Sequence, residues 1–288
     1  MNVAFAQTFL EVVKVGNLNR AAARLNVTES TVTTRINALE NHLGQKLLIR
    51  SRSGAELTPA GFKFLRYAEV MTQAWGLARQ ELSLSQDFKS ICNVGCHLDL
   101  WDASGCIWVD YLRQHHPEVA LSFWLGNVDD IERWLSSGLI DVALMFDSAV
   151  SGGYRVRKLF DDRLIQVSTR ARSYVDWDPD YIYVDLGGDF RRLHAEAFSV
   201  ARTPVITISS SNCALNYLLR WGGSAYLPTR MVTNYISDGT LSQVEGTPEF
   251  CRTAYAVSRS DIAKDRPWFD PSFDYVSAQI EKIFQQER

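Results

Sequence analysis

The sequence predicts an α/β protein with a mainly helical head: an N-terminal unit carrying a β-hairpin, a long helix, and a two-lobed α/β body. Apolar residues recur at helical spacing through the first 43 residues, and strand-like and helix-like segments alternate from residue 90 onward. A length of 288 residues allows about two domains, and a hydrophobic content of 46% suits packed cores. These observations exclude disordered, collagen-like and purely coiled-coil chains.

Three helices are predicted in the head. The first covers residues 3–14 and ends at Gly16, the second contains the alanines at 21–23, and Thr28 caps a third over residues 29–43. The apolar face of the third helix is formed by Val32, Ile36, Leu39 and Leu43. Its opposite face carries short polar side chains, namely Ser30, Thr34, Asn37 and Asn41. Such a helix-turn-helix suits a DNA groove, although a polar face that only meets solvent gives the same pattern.

A β-hairpin is predicted directly after the third helix. Residues 47–50 form the first strand, residues 51–54 the turn and residues 55–58 the returning strand, before Pro59 begins the next helix. A basic-tipped hairpin in this position is typical of the wing of a winged helix-turn-helix, which reaches flanking phosphate or the minor groove.

The charge distribution supports a nucleic-acid role for the head. Residues 1–90 hold 11 Lys and Arg against 7 Asp and Glu, whereas the remaining residues hold 19 against 26, within a net charge of −3. A basic head on an acidic body is expected when only the head meets a polyanion. No apolar run approaches the ~20 residues needed to span a bilayer, and no secretory leader is recognised, so we expect a cytoplasmic protein without membrane contact.

Residues 9–61 contain an AAARL segment, a Val-Thr-x-Ser-x-Val core, an ALExxLGxxLL run and an LTPAG exit. With these motifs, the stretch resembles the DNA-binding head of LysR-type transcriptional regulators. It implies a homo-oligomeric regulator, a dimer or a tetramer, that binds double-stranded DNA and a small-molecule effector, contacts RNA polymerase and is not an enzyme.

The resemblance also implies which residues contact DNA, because the family reads bases mainly with the N-terminal half of the third helix. The candidates are Glu29, Ser30, Thr31, Thr33, Thr34, Arg35, Arg50 and Arg52. Glu29 departs from the Gln that is frequent there, and a carboxylate only accepts hydrogen bonds, for example from a cytosine amino group.

The helix after Pro59 carries an apolar seam at spacings of four and three residues, typical of a coiled coil. The seam residues are Phe64, Ala68, Met71, Trp75, Ala78 and Leu82. A helix of about 28 residues, roughly 42 Å long, would expose this seam unless it were paired. The resemblance implies a dimer of linker helices, and packing against the chain's own body is the alternative. Residues 83–89 lose the pattern and are predicted to form a hinge.

The body is predicted to contain parallel strands joined by helices, in two lobes with a late return to the first. This arrangement resembles the periplasmic-binding-protein fold. The predicted domains are a winged helix-turn-helix at 1–60, a linker with hinge at 61–89, and an effector-binding domain at 90–288, whose lobes are 90–161 with 267–288, and 162–266.

Ligands of such sheets lie beyond the carboxyl ends of the strands. The candidate effector-binding residues are His97, Leu98, Asp99, Trp101, Asn127, Val128, Phe146, Asp147, Ser209, Ser210 and Tyr226. We expect a small zwitterion such as an amino acid, with aromatic side chains on its apolar part and Asp99 or Asp147 on its ammonium group.

Two alternatives remain open at this point. The five cysteines (Cys92, Cys96, Cys106, Cys213 and Cys251) are odd in number and lack a CxxC pair, which argues against a disulfide framework or a zinc site. A redox-responsive regulator using Cys96 and Cys106 is the first alternative. An enzyme or a small-molecule-binding α/β protein is the second, but no nucleotide or nucleophile motif is present. We expect no metal and no cofactor.

Overall fold

The computed structural model describes residues 2–51, 54–146, 152–171, 178–198 and 203–286. The chain divides into two units, Met1–Asp87 and Phe88–Arg288. Within the described ranges, no helix combines the length and the apolar character needed to cross a bilayer.

The first unit consists of helices and one hairpin. Its elements are α1 (Val3–Val15), α2 (Leu18–Arg24), α3 (Glu29–Leu43), β1 (Leu48–Ser51), β2 (Gly54–Leu57) and α4 (Pro59–Leu82). Thr28 caps α3 by accepting a hydrogen bond from the amide of Thr31, and Gly44 ends the helix at φ 65°. The predicted bounds of α3 are therefore confirmed, as is the antiparallel hairpin that follows it.

The core of the first unit is built from the predicted apolar faces. Phe9, Val32, Ile36 and Leu39 are fully buried. The first half of α4 joins this core, because Ala68 is fully buried, Phe64 packs edge-on against Phe9 at 5.3 Å between ring centroids, and Met71 contacts the same cluster.

The expected seam of α4 therefore splits into two parts. Phe64, Ala68 and Met71 pack within their own unit, against the core of the head. Trp75, Ala78 and Leu82 are exposed, and Leu82 is 90% accessible. The helix is also shorter than predicted, at 24 residues.

The second unit is a single twisted sheet flanked by helices. Its first half contains β3 (Ser90–His97), α5 (Cys106–His115), β4 (Val119–Gly126), α6 (Val128–Ser136), β5 (Val142–Phe146) and β6 (Tyr154–Ser168). Its second half contains β7 (Tyr181–Val184), α7 (Gly188–Ala197), β8 (Ile206–Ile208), α8 (Ser211–Trp221), β9 (Ser224–Pro228), α9 (Thr229–Ser237), β10 (Ser242–Gln243), β11 (Phe250–Arg259), α10 (Ile262–Asp265) and α11 (Phe269–Gln286).

The sheet order is β4-β3-β5-β11-β6-β9-β7-β8, with β10 on β6. Strands β3, β4 and β5 are parallel to one another, and so are β7, β8 and β9. The predicted parallel strands are present within these two groups, and the prediction did not include the antiparallel pairs: β11 pairs antiparallel with both β5 and β6, and β6 pairs antiparallel with β9. These reversals allow β6 and β11 to link two parallel groups.

Each parallel group has its own hydrophobic core, which defines two lobes. The core of the first lobe surrounds Trp108 and includes Phe273 from α11, whereas the core of the second surrounds Tyr226. Strand β6 enters the first core at Phe160 and the second at Leu164. The strands that cross between the lobes thus place residues such as Asp162 at the junction.

Candidate functional sites

The first turn of α3 presents an ordered row of hydroxyl groups. Thr28 Oγ1 lies 2.8 Å from both Ser30 Oγ and Thr31 Oγ1, and Thr34 Oγ1 donates to the carbonyl of Ser30 at 2.9 Å. Glu29, Ser30 and Thr34 are exposed, while Thr31 and Thr33 are half-buried. The buried face holds α3 in place, so these short side chains have defined positions at the surface.

Arg35 lies apart from this row. Its guanidinium donates to Thr8 Oγ1 on α1 at 3.3 Å, and Thr8 in turn donates to the carbonyl of Ala4 at 2.7 Å. The structure therefore gives Arg35 a contact between two helices of the head, where the sequence predicts a DNA contact.

The hairpin is attached to α3 by Glu40, a residue that the sequence reading missed. Its carboxylate is 4% exposed and accepts hydrogen bonds from the amides of Leu47 and Leu48 and from Lys46 Nζ. The sequence feature that could have indicated this role is a charged residue beside the apolar face of α3. The backbone of Arg50 lies in β1, and Arg52 lies outside the described residues.

Five residues meet where the lobes join, and we call them the interlobe cluster: Asp99, Asp162, Ser211 and Arg252, which are buried, and Arg230, which is half-buried. Asp162 and Arg252 are direct partners on β6 and β11, with Arg252 Nε 3.1 Å from Asp162 Oδ2. Arg230 on α9 donates to Asp162 Oδ1 at 2.9 Å and to the carbonyl oxygen of Asp99 at 2.9 Å.

Asp99 connects the two lobes through this cluster. It follows β3 in the first lobe, within a 3₁₀ turn over Leu98–Leu100. Its carboxylate accepts from the amide of Ser211 at 3.0 Å, from Ser211 Oγ at 2.5 Å and from Arg252 at 3.2 Å. Ser211 is the first residue of α8 in the second lobe. One carboxylate therefore bridges a strand end of one lobe and a helix N-terminus of the other.

The electrostatics of the cluster favour the ionised carboxylate. Burial raises the pKa of Asp99, but the charge of Arg252 and the hydrogen bonds from Ser211 outweigh burial and place the pKa below its ordinary value of 3.8. Burial lowers the pKa of the neighbouring His97 below 6.5, so this imidazole is neutral at physiological pH. The buried carboxylate of Asp99 is therefore ionised and is compensated by groups of the protein.

These contacts bear on the predicted role of Asp99. We expected its carboxylate to meet the ammonium group of a ligand, but Ser211 and Arg252 already occupy its oxygens. Asp147, the other residue expected in this role, lies outside the described residues. Phe146 is 2% exposed beneath the Arg252 guanidinium, which lies 3.7 Å from its ring centroid, and His97 packs against the same ring.

Of the remaining candidates in the first lobe, two are exposed and two pack against apolar neighbours. Leu98 is 45% exposed, and Asn127 is exposed and caps α6 by accepting from the amide of Asp130. Val128 packs half-buried against the small core around Ile131. Trp101 contacts Phe123 edge-on at 5.1 Å and lines a groove of about 680 Å³ beside β4, away from the interlobe cluster.

In the second lobe, Ser209 is exposed and Ser210 caps α8 by accepting from the amide of Cys213. Tyr226 is fully buried and donates to the carbonyl of Pro248 at 2.8 Å. The structure thus makes Tyr226 part of a packed aromatic core, where the sequence predicts a cleft wall.

Arg230, Arg252, Ser211 and Asp162 were missed by the sequence reading. An Arg within the otherwise apolar strand FCRTAYAVS was the available signal for Arg252, because a charge at a core-facing strand position needs a buried partner. The partners themselves are far apart along the chain, and no local pattern connects them.

The cysteines do not form disulfides among the described residues, and those residues contain no group of ligands suited to a metal. Burial raises the pKa of the Cys96 thiol to about 12, and burial also raises the pKa of Cys106. Because the thiolate is the reactive form, this environment opposes the redox alternative.

Comparisons with known proteins give matches for both the head and the body. The family model described as "Bacterial regulatory helix-turn-helix protein, lysR family" matches residues 5–62, and the model "LysR substrate binding domain" matches residues 108–266. The HTH-type transcriptional regulator HdfR of Yersinia enterocolitica is 27% identical over 269 residues, covering 89% of this chain and 90% of the relative.

Two solved structures share the fold. ArgP from Mycobacterium tuberculosis matches with a TM-score of 0.57 at 22% identity over 96% of each chain. DarR from Vibrio fischeri, solved in complex with DNA, matches with a TM-score of 0.56 at 21% identity, covering 97% of this chain and 98% of that one.

Proposed function

Because this chain belongs to the LysR family of bacterial helix-turn-helix regulators, we propose that it controls transcription by placing the start of α3 in the major groove while its body responds to a small metabolite. It is a DNA-binding transcriptional regulator with an effector-binding domain. The proposal concerns which residues carry these roles and how they are coupled.

The observation that carries the DNA-binding part is the two-sided character of α3. Val32, Ile36 and Leu39 are fully buried, whereas Ser30 and Thr34 are exposed one turn apart on the other side. Hydroxyl groups on a rigid helix start suit both base edges and phosphates, whereas the carboxylate of Glu29 suits only hydrogen-bond donors on base edges. We assign Glu29, Ser30, Thr31, Thr33 and Thr34 to this surface and the hairpin with Arg50 and Arg52 to the flanking phosphates.

Self-association is the second part of the proposal. The exposed apolar residues of the second half of α4, Trp75, Ala78 and Leu82, support pairing with a second copy. Two heads on one assembly would bind paired half-sites with a gain in effective concentration. Larger assemblies, such as a tetramer, and contact with RNA polymerase belong to the same proposal.

The effector part rests on the two-lobed body. A ligand that binds between the lobes changes DNA binding only if its affinity differs between two arrangements of the assembly. The interlobe cluster supports this location, because it is the place where side chains from both lobes meet. An amino acid remains a candidate effector, but its ammonium group would compete with Ser211 and Arg252 for the carboxylate of Asp99.

A footprint of the purified full-length chain on the DNA upstream of its own gene tests the proposal. We expect protected paired half-sites whose affinity falls steeply with salt, as counterion release requires. The Thr34→Glu variant adds a negative charge to the proposed groove-facing row and should bind at least about tenfold more weakly, because the charge opposes the phosphates.

The Gln73→Glu variant is the matched control. It adds the same charge at an exposed helical position on α4 and should retain the affinity of the unmodified chain. Equal affinities of the Thr34→Glu and Gln73→Glu variants would contradict the assignment of the α3 surface. A folded, unmodified chain that protects no DNA at low salt would contradict the proposed function.

A further inference from the structure

The N-terminus of α8 has the groups of an anion-binding site, and the carboxylate of Asp99 occupies it. The site offers the amide and hydroxyl of Ser211 together with the Arg252 guanidinium, all within 3.2 Å of the Asp99 carboxylate. Helix N-termini attract anions because their first amide groups lack partners within the helix. The nearby Arg252 and the hydroxyl group strengthen that attraction. The side chain of Asp99 therefore takes the position that a ligand carboxylate would take.

The cluster is balanced in charge. Asp99 and Asp162 face Arg230 and Arg252, and each of these four side chains is at most 9% exposed. Two negative and two positive side chains are therefore present, and burial lowers the pKa of the neighbouring His97, which favours its neutral form. An additional carboxylate would be an unpaired buried charge, which is strongly unfavourable, unless it displaced Asp99.

Asp99 also holds the lobes together. It belongs to the first lobe, and Ser211 lies 112 positions further along the chain in the second. A second bridge, from Asn212 Nδ2 to Asp102 Oδ2 at 3.3 Å, is exposed, so water competes with it. The buried Asp99 contact is therefore the stronger of these two bridges.

We propose that Asp99 is a built-in occupant of the interlobe anion site, which holds the lobes together without a bound acid and makes the site reject carboxylate effectors. The inference rests on the proposed function, in which the effector binds between the lobes. It makes Asp99 a specificity-determining residue: a neutral or cationic effector would fit this body better than an organic acid, and an amino acid would have to place its carboxylate outside the anion site.

The Asp99→Ala variant of the full chain tests the proposal, because it removes only the carboxylate group, and formate has the size and charge of that group. Thermal unfolding is followed in formate, in its neutral isostere formamide, and in chloride at equal ionic strength. We expect formate to raise the melting temperature of Asp99→Ala by about 3 °C or more relative to chloride, and formamide to have no such effect. The unmodified chain should show no difference between formate and chloride.

The Asp102→Asn variant is the matched control, because it weakens the exposed bridge and leaves the anion site filled. It should respond to formate as the unmodified chain does. A folded Asp99→Ala variant without any gain from formate would overturn the proposal, and so would an equal gain in the Asp102→Asn variant.

If Asp99→Ala does not fold, the response of the unmodified chain to formate still tests whether the anion site rejects a carboxylate. Stabilisation of the unmodified chain by formate that disappears in Ser211→Ala would show that the site accepts a carboxylate with Asp99 in place, and would overturn the proposal. DNA protection by the same preparations separates the two inferences. Protection without the expected formate response rejects the role of Asp99 alone, whereas a lack of protection rejects the proposed function.

Discussion

The carboxylate of Glu40 accepts a hydrogen bond of 2.9 Å from the backbone amide of Leu47, and this bond attaches α3 to the residue that directly precedes β1. Lys46 Nζ lies 2.7 Å from the same carboxylate. Burial raises the pKa of Glu40, but the hydrogen bonds from Lys46 and from the amides of Leu47 and Leu48 outweigh burial, so the pKa lies below 4.5. The ionised carboxylate of Glu40 therefore helps to hold the hairpin in position relative to α3.

The Glu40→Gln variant should loosen the hairpin. It keeps the shape of the side chain but removes the charge that strengthens these hydrogen bonds, at a cost of about 1–3 kcal/mol. We expect faster hydrogen exchange at the amides of residues 46–57 in the full chain, together with weaker DNA binding. Glu56→Gln, which changes an exposed carboxylate on β2, is the control. Equal exchange in the two variants would show that Glu40 does not anchor the wing.

The Arg252→Met variant should destabilise the body strongly. Arg252 is 3% exposed, and its removal leaves Asp99 and Asp162 with less compensation in a buried site, at a cost of about 3–5 kcal/mol. Arg163→Met is the control, because Arg163 pairs with Glu249 at the surface and its loss should cost less than about 1 kcal/mol. Urea unfolding followed by tryptophan fluorescence measures the stability of both variants. Similar midpoints would contradict the expected difference between losing the buried and the exposed ion pair.

The stability of the body should decrease as the pH is lowered from 6.5 to about 4, because burial lowers the pKa of His194 to about 4. The unfolded chain binds the proton at the ordinary pKa of 6.5, so acid in this range favours unfolding, and the stability recovers as the pH rises. His194 faces Tyr181, Tyr183 and Tyr226, and its Nε2 lies 2.8 Å from the hydroxyl of Tyr181.

Thermal unfolding at a series of pH values checks this dependence. His194→Gln should flatten the curve between pH 6.5 and 4, whereas His115→Gln, at an exposed position on α5, should leave it unchanged. A slope that survives in His194→Gln would assign the acid sensitivity to other groups.

The cysteines should differ in their reaction with iodoacetamide. Cys213 and Cys251 are exposed, whereas burial raises the pKa of both Cys92 and Cys96 to about 12. At neutral pH we expect labelling of Cys213 and Cys251 first, and labelling of Cys92 and Cys96 only after unfolding, because the thiolate reacts. Mass spectrometry of a time course distinguishes the sites. Early labelling of Cys96 in the folded chain would revive the redox alternative.

Self-association should depend on the second half of α4. Trp75 is 49% exposed in the proposed seam, and Trp75→Glu would place a charge in the interface, so we expect association to weaken by roughly tenfold or more. Gln73→Glu adds the same charge two residues earlier and should preserve the assembly. Sedimentation velocity over a range of concentrations measures both, and an unchanged profile for Trp75→Glu would place the contact elsewhere.

Local order was determined by the sequence alone. The bounds of α3 follow from Thr28 at its start and Gly44 at its end, and the hairpin after α3 is observed where it was predicted. Capping, left-handed turns and apolar spacing are decided within a few residues of chain, so a linear reading can find them. The same applies to the motifs between residues 9 and 61 that indicate the family.

Which segments and side chains contact one another was decided by the tertiary structure alone. The spacing that joins Phe64 to Leu82 is the same whether the neighbour is the chain's own core or a second copy, and only the fold showed that its first half is internal. Strand direction in the body depended likewise on how β6 and β11 cross between the lobes. Asp99 was correctly placed at a strand end, but its partner Arg252 lies 153 positions away. A buried charge selects its partner through space, because desolvation must be offset wherever the folded chain brings an opposite charge.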